Sequence, residues 1–195
     1  MQAELDGELV AGQPVSYDDR RRVPFVDAVV LEAMRLAPVV ALALPHFTAV
    51  DVRLPAGPST GELSIPADSI VIANLWSVGR DPDVWGADAD VFRPERFLRS
   101  EHATTPSPLD DELDPGGRGS LAVDDRLTES FYPFSYGARR CVGESLGRRQ
   151  IFIFFATIMR SCLLAAVDGR PAPGDAETYG DVVRPAPYQI RIMPR

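Results

Sequence analysis

Proline and glycine divide this chain so that two stretches have the length and apolar spacing of a long helix. Pro24 suits a first helical position, and the apolar run that follows it is stopped by Pro38. From Glu144 to about Leu164, apolar residues recur at helical spacing. We therefore predict two long helices, of which the first, with mostly apolar residues, is expected to be buried on several sides. Between them we expect short extended pieces, including a hairpin within residues 63–76 around a turn at Pro66–Asp68.

Two further segments differ in composition from these helices. Residues 1–22 are polar and are predicted to lead into a folded portion at 23–195. Residues 101–130 hold eight acidic and two basic residues together with three prolines, so we predict a flexible acidic surface insertion there. A solvated insertion and an acidic docking loop are both open. Because the whole chain has a formal net charge of -8, we do not expect it to bind nucleic acid.

The sequence gives no sign of secretion, membrane insertion or zinc binding. No run of eighteen apolar residues is present and residues 1–22 have no apolar centre, so the chain as written is expected to be soluble or peripheral. His46 and His102 lie far from both cysteines, which excludes a zinc-ligand spacing. Cys162, among apolar residues of the second helix, is predicted to be an inert core thiol.

Cys141 is the residue with the most distinctive surroundings. It lies just before the second predicted helix, where free backbone N–H groups and the helix dipole favour a thiolate over a thiol. Arg139 and Arg140 add positive charge nearby. Gly137 and Gly143 bracket the cysteine, so the backbone can turn tightly and a flat ligand can approach. The alternative is a buried structural cysteine, the usual state of a lone cysteine.

Five positions within ten residues resemble the haem-binding loop of the cytochrome P-450 family, namely Phe134, Gly137, Arg139, Cys141 and Gly143. The resemblance implies that these residues bind haem b (iron protoporphyrin IX) and that Cys141 is the proximal iron ligand, whose thiolate favours O–O cleavage. It also implies that Arg139 pairs with a haem propionate. By similarity to microsomal members, His46 would donate to a propionate as well. A half-buried histidine with a backbone partner is the alternative.

A second group of residues is predicted to support this loop. Glu32 and Arg35 lie one turn apart on the first helix between apolar residues, so we expect the pair to be buried and to need further hydrogen bonds. The segment FRPERF at 92–97 is similar to the one that precedes the haem loop in this family. The resemblance implies that Arg96 completes a Glu32–Arg35–Arg96 triad whose role is structural rather than catalytic.

The resemblance extends from about residue 22 to residue 195 and is greatest to the microsomal drug- and steroid-metabolising branch. It implies a mainly α fold with small β-hairpins (α+β), as an incomplete C-terminal haem-binding portion of the cytochrome P-450 fold. The implied activity is that of a monooxygenase, an oxidoreductase that inserts one oxygen atom from O2 into a lipophilic substrate with electrons from an NADPH-dependent reductase. Residues 39–46 are expected to be extended. By resemblance, the run 39–44 within them would lie over the haem, and residues 176–181 would form a second substrate contact.

Several expectations concern the chain as a fragment. A full-length relative would reside in the endoplasmic reticulum membrane. Because the distal half of the haem pocket is not represented, the isolated chain is expected to be a poor monooxygenase or none. The alternatives are a truncated non-enzymatic module that binds haem or pairs with a relative, and the product of a partial gene. Residues 131–150 carry a net charge of +3. A docking surface for an acidic electron donor and a generic solvated surface are both open interpretations of this charge.

Overall fold

The computed structural model describes residues 1–57, 61–100, 121–123, 130–167, 176–179 and 182–195. The α-helices in these ranges are α1 (Gln2–Glu8), α2 (Pro24–Leu36), α3 (Leu75–Val78), α4 (Pro82–Trp85) and α5 (Glu144–Ser161). Short 3-10 helices lie at Tyr17–Arg21, Pro94–Phe97 and Gly137–Arg139. No helix in the described ranges is long and apolar enough to cross a bilayer.

The strands form small antiparallel sheets of two strands each. In chain order they are β1 (His46–Phe47), β2 (Val52–Leu54), β3 (Leu63–Ile65), β4 (Ile70–Val71), β5 (Leu98–Ser100), β6 (Leu121–Val123), β7 (Cys162–Ala166), β8 (Ala176–Tyr179), β9 (Val182–Pro185) and β10 (Ile190–Pro194). The pairs are β1 with β4, β2 with β3, β5 with β6, β7 with β10 and β8 with β9. This combination of helices and small sheets confirms the predicted α+β class.

The two long helices are present at the predicted places. Pro24 occupies the first turn of α2, and the helix ends at Leu36, shortly before Pro38. The predicted end of α5 is wrong by three residues, because Cys162 adopts extended backbone angles and begins β7, which pairs with β10. Cys162 therefore lies in a strand and not in the helix.

The predicted hairpin within 63–76 contains the right strands with the wrong pairing. β3 pairs with β2, and β4 pairs with β1, so the two strands do not pair with each other. The reason is Thr48, whose hydroxyl donates to the carbonyl of Pro66 at 2.8 Å and whose carbonyl accepts the N–H of Asp68 at 2.8 Å. These bonds hold the chain that follows β1 against the Pro66–Asp68 turn.

Residues 1–22, predicted to be a polar lead-in, are folded against the two long helices. Leu5 of α1 is fully buried in a cluster with Val26, Phe152 and Ala156. The carboxylate of Glu4 accepts the N–H groups of Phe25 and Val26 at 3.0 and 3.2 Å and so caps the start of α2. Only a few apolar residues of segment 1–22 pack against the long helices. The mostly polar composition of the segment therefore gave no sign that it is folded.

The predicted insertion at 101–130 falls mostly outside the described residues. Within it, Leu121–Val123 form β6, which pairs with β5. A second core cluster lies beside this sheet. It joins the other side of α2 to α4, to the 3-10 helix at Pro94–Phe97 and to the start of the loop at 131–143 that contains Cys141, called the Cys141 loop below. The buried members of this cluster are Ala28, Leu31, Trp85, Ala89, Phe97 and Phe131.

Candidate functional site

Cys141 lies in a loop that is closed by its own backbone. Its N–H donates to the carbonyl of Phe134 at 2.9 Å, and its carbonyl accepts the N–H of Glu144, the first residue of α5, at 3.3 Å. The thiol is free and exposed. The loop therefore fixes the backbone of Cys141 at the entrance of α5 while the sulfur stays accessible.

Positive φ angles give the loop its tight turn. Gly137 has φ of +73°, a left-handed conformation that glycine adopts readily, and Ser135 has φ of 65°, which is unusual for a residue with a Cβ. Ser135 is held there by a hydrogen bond from its N–H to the carbonyl of Tyr132 at 3.0 Å. Gly143 lies beside the sulfur, because a methyl group added to it would be 3.8 Å from Sγ.

The loop that contains Cys141 and the first turn of α5 expose both apolar and cationic side chains. Val142 is fully exposed, and Tyr136 and Leu146 are 78% and 61% exposed. Arg139, at the end of the 3-10 helix, is also exposed. A thiol, apolar side chains and a guanidinium together suit a flat apolar ligand that carries a metal ion and carboxylates.

The structure brings Glu32, Arg35 and Arg96 together in the core. Arg35 Nε and Nη2 donate to the two carboxylate oxygens of Glu32 at 2.6 and 2.8 Å, and Arg96 Nε donates to Glu32 Oε1 at 3.0 Å. Glu32 is 0% and Arg35 2% exposed. Burial alone would raise the pKa of Glu32, but these bonds and the N–H of Arg93, at 2.8 Å, outweigh it and hold the pKa below the usual value.

The remaining donors of the two arginines bind backbone carbonyls in the coil after α3 and in the short helix α4 within it. Arg35 Nη1 donates to Gly79 and Ala89, and Arg96 donates to Trp85 at 2.9 Å and to Asp88 at 3.0 Å. No buried side-chain nitrogen or oxygen in the described part of the chain lacks a partner. The carbonyl contacts satisfy the buried charges and fix this coil, which has little regular structure of its own.

Aromatic contacts connect the triad to the Cys141 loop, and sequence reasoning missed them. The Arg35 guanidinium lies 5.2 Å from the centre of the Trp85 ring, and Trp85 contacts Phe97 at 5.8 Å between ring centres. Phe97 in turn contacts Phe131 at 5.6 Å. Phe131 opens the loop, so the buried ion network and the loop share one packed core. The sequence signal that could have indicated this contact is the pair of aromatic residues, Phe97 and Phe131, on either side of the segment 98–130.

The other predicted residues lie elsewhere. His46 is exposed in β1, opposite Val71 of β4, so the alternative of a half-buried histidine is wrong. Residues 39–44 form a turn rather than an extended segment, with Ala43 at φ of 51°. Val39, Leu42 and Leu44 are exposed there. Of the second predicted substrate contact, residues 176–179 form β8, and residues 180–181 lie outside the described residues.

Comparison with known proteins places these features in a family. The sequence profile of the cytochrome P-450 family matches residues 1–192, which includes the segment predicted to be a lead-in. Cytochrome P-450 2U1 of Rattus norvegicus is 32% identical over 98% of the chain and 31% of its own length. Cytochrome P-450 2D14 of Bos taurus is 32% identical over 100% and 33%. The steroid 17-alpha-hydroxylase/17,20 lyase of Oryzias latipes is 28% identical over 100% and 33%.

A solved structure gives the same result. A zebrafish cytochrome P-450 with abiraterone superposes with a TM-score of 0.74 at 30% identity, over 100% of this chain and 39% of the zebrafish chain. The fold is thus that of part of a cytochrome P-450, as the resemblance implied. The chain spans about a third of the length of the curated relatives it matches.

Proposed function

The chain belongs to the cytochrome P-450 family, whose members are haem-binding monooxygenases, and from this premise we propose that it is the haem-thiolate portion of such an enzyme, in which the sulfur of Cys141 would hold the haem iron. The observation that carries the proposal is the exposed Cys141 thiol, held at the start of α5 by the Phe134 carbonyl. The Glu32–Arg35–Arg96 triad supports the loop from the core.

The residues of the loop fit haem b. When bound, haem supplies the iron that activates O2 for transfer of one oxygen atom to a substrate. Cys141 would supply the sulfur ligand, and the open backbone at Gly137 and Gly143 leaves room for a flat ring beside it. Arg139 and His46, both exposed, supply donors for the two propionates. We place the triad residues outside catalysis, because their polar groups are all engaged in the core.

The decisive test is a reduced carbon monoxide spectrum of the chain loaded with haem. Wild-type chain and the Cys162→Ser variant should both give the thiolate-type Soret band, and Cys141→Ser should lose it. A thiolate-type band that survives in Cys141→Ser would contradict the assignment. A histidine-type or free-haem spectrum in the wild-type chain would favour the alternative, a non-enzymatic haem-binding or pairing module. This alternative is open because the chain matches only about a third of the length of each relative.

We propose a lipophilic substrate of about steroid size. A relative is named a steroid hydroxylase and lyase, and solved zebrafish structures contain abiraterone and progesterone. In this chain, the exposed apolar side chains at the 39–44 turn offer a matching surface. Progesterone should perturb the haem spectrum of the loaded chain, and Leu44→Glu should weaken that response. Leu63→Glu, at an exposed leucine of β3, should leave it unchanged, and equal effects would refute the substrate surface.

We further propose that an NADPH-dependent reductase delivers electrons to the basic surface at the start of α5, in the endoplasmic reticulum for a full-length protein. Arg140 and Arg149 are exposed there, whereas Arg148 is engaged by Glu144 and by aromatic rings. Arg140→Glu with Arg149→Glu should slow reduction of the haem-loaded chain and weaken its dependence on salt. Arg53→Glu on β2 is the control, and unchanged kinetics in the double variant would contradict docking at this surface.

A further inference from the structure

Arg148, one turn into α5, places its guanidinium beside two aromatic rings of the Cys141 loop. Its Nε donates to Glu144 Oε1 at 2.9 Å, one turn earlier in the helix. Its guanidinium carbon lies 5.5 Å from the centre of the Phe131 ring and 5.2 Å from that of Phe134. The side chain is 25% exposed, so these contacts are partly shielded from water.

The two rings differ in what they are attached to. Phe131 is buried in the second core cluster, against Phe97. Phe134 carries the carbonyl that accepts the Cys141 N–H, and its ring packs on α5 so closely that a methyl group at Gly147 would be 3.3 Å away. Arg148 therefore joins the fixed core to the residue that fixes Cys141.

The chemistry of the side chain suits this position. A planar guanidinium lies against aromatic faces while its N–H groups stay bonded to a carboxylate, which the compact ammonium of lysine does less well. Glu144 also attracts Arg140, at 3.7 Å, but the Arg140 side chain is 65% exposed and no contact of it with the two rings is observed in the described part of the chain. The contacts single out Arg148 among the arginines of this surface.

We propose that Arg148 is a positioning residue for Cys141: by lying against Phe131 and Phe134, its guanidinium holds the loop in the geometry that presents the sulfur. The role of that sulfur as a haem ligand rests on the proposed function, but the restraint on the loop does not require haem. A consequence is that charge reversal at Arg148 would disturb the loop itself and could not report cleanly on the docking of an electron donor.

The test compares Arg148→Ala with Arg149→Ala in a Cys162→Ser background. Arg149 is the next residue of α5, and its guanidinium lies over Tyr17 at 5.2 Å instead of over the loop. In the haem-free chain, amide hydrogen exchange at Cys141 and reaction of its thiol with a disulfide reagent should both become about tenfold faster in Arg148→Ala. Both rates should change by less than about twofold in Arg149→Ala.

Arg148→Lys separates the planar contact from simple charge. It keeps a cation opposite Glu144 and should restore part of the protection, giving rates between those of wild type and Arg148→Ala. If Arg148→Ala loses helical circular dichroism and is therefore unfolded, the rates of Arg148→Lys still test the role of the guanidinium. Full wild-type protection in Arg148→Lys, or equal rates in the two alanine variants, would overturn the proposal.

A haem-loaded measurement completes the test. After chemical reduction with dithionite, which needs no docked electron donor, and addition of carbon monoxide, the share of thiolate-type spectrum should fall in Arg148→Ala, recover in part in Arg148→Lys and stay unchanged in Arg149→Ala. If the wild-type chain shows no thiolate-type spectrum at all, the proposed function fails, and the haem-free exchange rates still decide the role of Arg148.

Discussion

Glu32 is the residue on which the buried ion network depends. It accepts hydrogen bonds from Arg35, Arg96 and the backbone of Arg93, and its side chain is 0% exposed. Glu32→Gln keeps the shape but leaves two buried guanidinium groups without their anion. The free energy of unfolding should fall by about 3–5 kcal/mol, measured by urea denaturation.

The matched control for this variant is Glu62→Gln. Glu62 faces Arg53 at 3.9 Å on an exposed hairpin, where an ion pair contributes about 0–1 kcal/mol. A Glu32→Gln variant no less stable than this control would show that the network does not support the fold.

Asp27 makes stability depend on pH in the direction opposite to that of a salt-bridged acid. Burial raises its pKa from 3.8 to about 6, and the charges of Arg20 and Arg148 offset only part of this. Between these pH values the folded chain binds more protons than the unfolded chain. The free energy of unfolding should therefore fall as pH rises from about 4 to about 6, and it should stay lower above that range.

Asparagine cannot ionise, so Asp27→Asn should remove the fall in the free energy of unfolding between about pH 4 and about pH 6. At pH 7 the variant is expected to be more stable than wild type by up to about 3 kcal/mol, and at pH 4 the difference should shrink to about 0.5 kcal/mol. Urea denaturation at both pH values measures it, with Asp83→Asn at an exposed site as the control. Parallel pH profiles for Asp27→Asn and wild type would refute the assignment.

The candidate-site residues could be proposed from the sequence where the signal is local. The spacing around Cys141, the apolar flanks of Glu32 and Arg35, and the arginine of FRPERF are all readable from the sequence. The third donor to Glu32 is a backbone N–H, that of Arg93, which every residue type except proline offers. No sequence pattern could have identified it.

At the scale of elements, α1 makes the contact that sequence reasoning least expected. Leu5 is 0% exposed between α2 and α5, so Leu5→Ala should cost about 2–5 kcal/mol in the free energy of unfolding. Leu146→Ala removes the same atoms from a leucine of α5 that is 61% exposed, and it should cost below about 0.5 kcal/mol. Equal costs in thermal or urea unfolding would show that α1 is not docked.

The long helices were predictable because their apolar period and their prolines are properties of single segments. Strand pairing was not, because it depends on groups distant in sequence. β3 and β4 flank the turn at Pro66–Asp68, but Thr48 hydrogen-bonds to that turn. β3 therefore pairs with β2, and β4 pairs with β1. Likewise α5 ended early because β10, some thirty residues later, pairs with the residues that follow Ser161.

At the scale of the whole molecule, the surface around the thiol is open. Cys141 and Val142 are exposed, and so are Phe47, Leu44 and Leu42 near the proposed substrate surface. A haem held by Cys141 would thus meet water on a face that the described residues leave uncovered. Controlled delivery of protons and exclusion of water both require a closed site.

The 195 residues alone should therefore consume NADPH without making product. With haem, an NADPH-dependent reductase and progesterone, we expect the electrons to appear as hydrogen peroxide, formed from O2, two electrons and two protons. Hydrogen peroxide and hydroxylated steroid should be measured together against the NADPH used. Cys141→Ser is the control for unligated haem, because peroxide that persists in this variant at the wild-type rate comes from free haem. Product formed in step with NADPH use would contradict the expectation and would show that these residues close the site by themselves.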